Sequence, residues 1–182
     1  MIDLSQLPFL ISAGRWQEAE TLLKKASRRK ECPAELHYNL GKVYEQLGKT
    51  EKIGPCFLQA VQKLPDYSIA WFELGRWQVA QNQLDRALAS FQKVVALSPA
   101  DQDAWRNVGR LGLRLGLWAV AKDAWEKLSG EEADQALYRI AAETGDETAP
   151  ALLSTLLEAP SARPRILKEM VRTAKGRIPL RL

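Results

Sequence analysis

The chain has 182 residues, 46% of them hydrophobic and 26% charged, with a formal charge of +4. That balance is too apolar for a disordered chain and ordinary for a folded domain. Its two cysteines, Cys32 and Cys56, and its one histidine, His37, form no CxxC or Cys/His cluster, which argues against a disulfide scaffold or a zinc site and for a reduced intracellular chain.

The opening MIDLSQLPFLI carries Asp3 where a signal peptide carries positive charge, and Pro8 interrupts its short apolar run. No stretch reaches the roughly 20 apolar residues of a membrane-spanning helix, so the expected setting is cytoplasmic. Ile2–Ala13, then Gly14, then Trp16–Arg29 read as a degenerate first helical pair within residues 1–33. From Ala34 onward the chain repeats itself every 34 residues: Trp71 with Trp105, Leu74 with Val108, Gly75 with Gly109, Ala87 with Ala121, Phe91 with Trp125. One step earlier stand His37, Leu40, Gly41, Ile53 and Phe57, and Pro65 and Pro99 keep the register. The units are therefore 34–67, 68–101 and 102–135.

Within each unit, positions 4, 7, 8 and 11 share one stripe of a 3.6-residue helix, and positions 20, 24 and 27 share a second. Each unit is a pair of amphipathic helices. A mid-helix glycine costs about 1 kcal/mol relative to alanine, so its recurrence at 41, 75 and 109 points to a close helix crossing. Gly54-Pro55 falls inside the second helix of the 34–67 unit and predicts a delayed helix start there. Beyond 135, Ala133–Thr144, Gly145 and Ala149–Glu158 read as a looser pair ending near residue 160. A last helix, roughly Pro164 to Lys175, carries Ile166, Leu167, Met170, Val171 and Ala174 on one face. Residues 161–182 hold Arg163, Arg165, Lys168, Arg172, Lys175, Arg177 and Arg181 against the single acid Glu169, so the body is near neutral and the tail is basic.

The unit resembles the tetratricopeptide repeat (TPR), whose 34 residues follow W-x2-L-G-x2-Y, then A-x3-F, then P. Trp71, Leu74, Gly75, Ala87, Phe91 and Pro99 carry the fullest copy. Departures are His37 for the first Trp, Ile53 for the Ala, Trp125 for the Phe, and Gln78 and Gly112 for the Tyr. The resemblance implies an all-α, right-handed α-solenoid of helix-turn-helix units over residues 1–160, closed by a basic capping helix and tail over 161–182. It also implies a protein-interaction adaptor or scaffold that holds a peptide segment of a partner in its concave groove.

No GxGxxG, Walker, GxSxG or HExxH pattern occurs. His37 occupies the repeat's Trp position and is expected to pack against its neighbours, and no second histidine is present to activate Cys32. The chain is read as a non-enzyme with no catalytic residue, cofactor or metal.

By the same resemblance, positions 2, 5, 6, 9, 12 and 13 of each first helix line the groove. Position 9 reads Lys42, Arg76 and Arg110; position 5 reads Tyr38, Phe72 and Arg106; position 6 reads Asn39, Glu73 and Asn107. Arg106, Arg110 and Arg114 follow at i, i+4, i+8 as a basic stripe. This set suits an acidic or extended peptide: arginine pairs carboxylates, Asn holds backbone amides and the rings give apolar contact. The alternative is a plain solvated helix face. The carboxylate clamp for chaperone tails is not matched, because Tyr38, Glu73 and Asp103 stand where it needs other residues. Two further readings stay open: a secretion chaperone, with dimerisation through apolar Leu4, Leu7, Phe9, Leu10 and Ile11, and a binder of nucleic acid or a membrane surface through the basic C-terminus.

Overall fold

Gly14, Gly48, Asn82 and Gly116 stand 34 residues apart, and all four adopt a left-handed backbone, with φ of 67°, 66°, 55° and 70°. Gly and Asn are the residues that enter this region most readily. At each of these positions the following residue donates its N–H to a carbonyl five residues back: Arg15 to Leu10 at 2.8 Å, Lys49 to Tyr44 at 3.0 Å, Gln83 to Gln78 at 2.8 Å, Leu117 to Gly112 at 2.9 Å. This is the Schellman closure of a helix C-terminus. It turns every first helix back onto its second, and it shows that the N-terminal pair obeys the repeat register.

The computed structural model describes residues 4–29, 31–158 and 163–173. Among them are eleven helices and no strand. They fall into two compact units, residues 1–100 and 101–182. The first unit contains α1 (Leu7–Ser12), α2 (Trp16–Ser27), α3 (Ala34–Gln46), α4 (Thr50–Lys63), α5 (Ser68–Ala80) and α6 (Leu84–Leu97). The second contains α7 (Gln102–Leu115), α8 (Trp118–Glu126), α9 (Glu131–Thr144), α10 (Ala149–Glu158) and α11 (Arg163–Thr173). Helix α1 is shorter than the expected Ile2–Ala13, because Pro8 sets its first turn; Ile2 lies outside the described residues.

The recurring glycines are seats for aromatic rings. A Cβ on Gly41 would lie 2.6 Å from the Phe57 ring, on Gly75 2.9 Å from Phe91, and on Gly109 2.6 Å from Trp125. These rings are fully buried. The large residue at position 24 fills the space left by the missing side chain at position 8, and the paired helices close to contact.

Positions 3 and 10 of the first helices are also buried or half-buried, at Leu36, Val43, Ala70, Trp77, Ala104 and Leu111. In the first unit, this second stripe packs on the preceding pair: α5 lies against α4 as well as α6.

The expected late start of the helix bearing Pro55 is not observed. Helix α4 begins at Thr50 and runs through Pro55 to Lys63. Pro55 is exposed near the helix N-terminus, so its ring meets solvent and only the bond to the Glu51 carbonyl is forgone. Gly54 is there for α5: the six-membered ring of Trp77 sits 2.5 Å from where its Cβ would be, and Trp77 Nε1 donates to the Thr50 carbonyl at 3.1 Å.

The C-terminal helix also departs from expectation. Ile166 is fully buried with Tyr138 and Leu156, and Met170 packs beside them. Leu167 and Val171, placed on the same face in the sequence, are 55% and 62% exposed. The inward stripe takes Glu169 instead, 3.8 Å from half-buried Arg139 of α9. Ala174 and Lys175 lie outside the described residues. At the other end, Leu7 and Leu10 are buried and Leu4 and Ile11 partly so. Phe9 alone of that apolar set is open, under the Arg15 guanidinium at 5.9 Å.

Candidate functional face on the first helices

In the first unit, α3 and α5 present side chains to one common surface. Tyr38, Asn39 and Lys42 come from α3, and Phe72, Glu73 and Arg76 from α5. Tyr38 is half-buried, its ring 5.9 Å from Phe57 and 5.4 Å from Tyr67. Burial in this apolar setting, with Glu73 beside it, holds its hydroxyl above the usual range. Phe72 meets Phe91 edge-on at 5.3 Å. The rings expected for partner contact are thus braced from beneath by the core rings.

The basic ladder is present but not bare. Lys42 Nζ lies 3.1 Å from Glu73 Oε1 and also pairs with Glu45; Arg76 Nη1 lies 2.7 Å from Glu73 Oε2. Partial burial by itself would lower the Lys42 ammonium, but the hydrogen bonds it donates to Glu45 and Glu73 raise it above its ordinary value. The sequence places Glu73 at position 6 of this face, as a departure from the clamp pattern, and its role as the ladder's internal partner was missed. A signal existed: position 6 lies one turn before position 9 of its own helix, the spacing of an i, i+3 ion pair. Asn39, half-buried on α3, has no side-chain partner among the described residues.

In the second unit, Arg106, Arg110 and Arg114 do form one stripe on α7. Arg106 pairs with Asp103 and lies 3.3 Å from Glu132 of α9, and Arg110 lies 2.6 Å from the same carboxylate. Asn107 donates its amide to the Asp103 carbonyl at 2.8 Å. Arg114 is exposed and has no partner among the described residues.

One pairing was not legible in the sequence. Cys32 Sγ lies 3.2 Å from His37 Nε2 and 3.5 Å from the Ser27 carbonyl at the end of α2. Both residues are 6% exposed. The chain turns between α2 and α3, and this fold-back closes the spacing that had read as no cluster. With the thiol donating to Ser27, the imidazole can donate from Nε2 to sulfur, which leaves Nδ1 as a buried atom without a partner. Among the described residues, no three His, Cys, Asp or Glu side chains converge as metal ligands, and no helix is long and apolar enough to cross a membrane.

The curated proteins include no match to this sequence. Among solved structures, the fold is similar to MamA, at TM-score 0.69 and 18% identity over 97% of this chain and 94% of that one. It is similar to YrrB, a TPR protein with an unusual peptide-binding site, at TM-score 0.71 and 18% identity over 96% and 89%. A tetratricopeptide repeat protein from Parabacteroides merdae ATCC 43184 matches at TM-score 0.70 and 16% identity over 94% and 71%. At such identities these likenesses concern the fold alone. Tetratricopeptide-repeat family models match residues 34–62, 55–99 and 72–136, more than half of the sequence. With the 34-residue register, the ring-on-glycine seats and the Schellman closures, they show that the chain belongs to the tetratricopeptide-repeat family.

Proposed function

We propose that this protein is an interaction adaptor that holds an extended segment of a partner protein on the face that α3 and α5 form in its first unit. One observation carries the reading. Asn39, half-buried on α3 and next in sequence to the braced ring of Tyr38, keeps a side-chain amide with no partner among the described residues. An amide with both a donor and an acceptor can pair with the backbone of an extended chain. The rings supply rigid apolar contact with little side-chain entropy to lose. Arg114, exposed and without a partner among the described residues on α7 of the second unit, gives a control substitution outside that face.

The test is affinity capture from native lysate with mass spectrometry, using wild type, Asn39→Ala and Arg114→Ala. These substitutions strand no internal partner, whereas charge reversal at Lys42 or Arg76 would set a new carboxylate against Glu73. A stoichiometric partner lost from folded Asn39→Ala supports the reading. Equal retention by both variants would overturn it.

A second reading rests on α11. Exposed Leu167 and Val171 lie beside Arg163, Lys168 and Arg172, the composition of a helix that meets an anionic surface. Binding to phosphatidylglycerol vesicles that is lost in Leu167→Glu would favour it; indifference to lipid charge would exclude it.

A further inference from the structure

We infer that Glu73 sets the ligand specificity of the first unit's face, excluding acidic segments in favour of a neutral, apolar one. The inference rests on the binding-face reading above and deepens it. Position by position, the ladder suggests an acidic ligand. Side chain by side chain, the surface is balanced. Lys42 and Arg76 supply two cations, and Glu45 and Glu73 supply two carboxylates that pair with them. Glu73 is the bridging member, since each of its oxygens takes one cation. Its side chain is 12% exposed, against 34% for Lys42 and 54% for Arg76.

A ligand carboxylate arriving at Lys42 or Arg76 has two routes. It can displace Glu73, leaving that carboxylate buried without its partners. It can otherwise sit beside Glu73 as a third anion among two cations. Both are unfavourable in a half-buried site, where screening is weak and an unpaired charge is costly. A neutral segment meets neither obstacle. It can lay apolar side chains on Tyr38 and Phe72, pair its backbone with Asn39, and leave the ion pairs in place. Glu73 thus acts against acidic partners by occupying the cations that would recruit them. The second unit repeats the device once, through Glu132 on Arg106 and Arg110.

The experiment is selection from a displayed random nonapeptide library by the full chain, as wild type, Glu73→Gln and Asn39→Ala, with helicity checked by circular dichroism. Glutamine keeps the shape of the side chain and removes its charge; Glu73→Ala carries the same contrast should the glutamine variant misfold. Wild type is expected to select apolar and aromatic peptides with Asp and Glu below library frequency. Glu73→Gln is expected to enrich Asp and Glu, with about a tenfold gain in affinity for acidic peptides, the effect of one added charge-assisted pair. Acid-rich peptides selected by wild type, or an unchanged profile in Glu73→Gln, would overturn the role of Glu73. If Asn39→Ala nonetheless abolishes selection, the binding face itself survives. Selections indifferent to Asn39→Ala, or no enrichment by wild type, would overturn the face and the inference with it.

Discussion

The indole of Trp77 occupies the space a Cβ on Gly54 would need, with three ring carbons 2.5 to 2.6 Å from that point. This contact joins α5 to α4 of the preceding pair. Gly54→Ala is therefore expected to force the ring or the helices apart and to destabilise the chain by about 1–3 kcal/mol, the usual effect of overpacking a rigid site. Urea denaturation measures it, with Gly48→Ala as an informative contrast. Gly48 has open space around its Cβ position but a φ of +66°, so its loss should be about 1 kcal/mol, from backbone strain alone.

The ring seats predict an order of tolerance. A Cβ at Gly41 or Gly109 would come within 2.6 Å of Phe57 or Trp125, while at Gly75 the nearest atom of Phe91 is at 2.9 Å. Gly75→Ala should lower the melting temperature least of the three. A larger drop for Gly75→Ala than for both others would contradict the packing account.

Glu20 is 8% exposed and accepts a hydrogen bond at 2.5 Å from Nζ of Lys49, in the turn between α3 and α4. That hydrogen bond holds its carboxyl below the ordinary value near 4.5, against the opposing effect of burial. A depressed acid favours folding above its unfolded pKa, so this contribution is complete above about pH 4.5 and is lost as pH falls below it. Lys49→Met should destabilise at neutral pH by about 1–3 kcal/mol, since it removes the close partner of a buried carboxylate and leaves it only the Lys24 ammonium at 3.8 Å. It should also flatten this acid limb in a pH series of urea midpoints.

His37 titrates in a higher window. Burial, and secondarily the charge of Lys63, lower its imidazole below the ordinary 6.5. The unfolded chain then takes up the proton first, so stability should begin to fall as pH drops below about 6.5 and level off below the folded pKa. His37→Leu should remove that early decline and leave the Glu20 limb untouched. A wild-type midpoint constant between pH 7 and 5 would contradict the role given to burial.

Cys56 offers a check on the core of the first unit. Its thiol is 7% exposed and burial pushes it up to about 11. It should resist alkylation in the folded chain at pH 8 and react at the ordinary rate of a free thiol in urea.

The repeat, the helical pairs and the crossing glycines were legible because they depend on short spacings within one unit. Periodicity alone places Gly41 and Phe57 on the facing stripes of one helical pair, and the structure seats the ring on the glycine. The left-handed positions at 14, 48, 82 and 116 were equally available, since only Gly and Asn occur there. What lies between units was not legible. The second buried stripe at positions 3 and 10, the Trp77–Gly54 seat and the unbroken helix through Pro55 all depend on which helix of the preceding pair comes alongside.

The candidate face divides in the same way. The sequence alone determined that Lys42, Arg76 and Arg110 recur at one helical position, and that aromatics and asparagines flank them. Only the tertiary structure decided that Glu73 bridges Lys42 and Arg76, that Asn39 keeps its amide free, and that Leu167 and Val171 turn outward. The physical reason is range. A helix's own faces follow from a 3.6-residue period, whereas an ion pair between α3 and α5 joins residues 31 apart in the chain, and its existence depends on how two helices lie side by side.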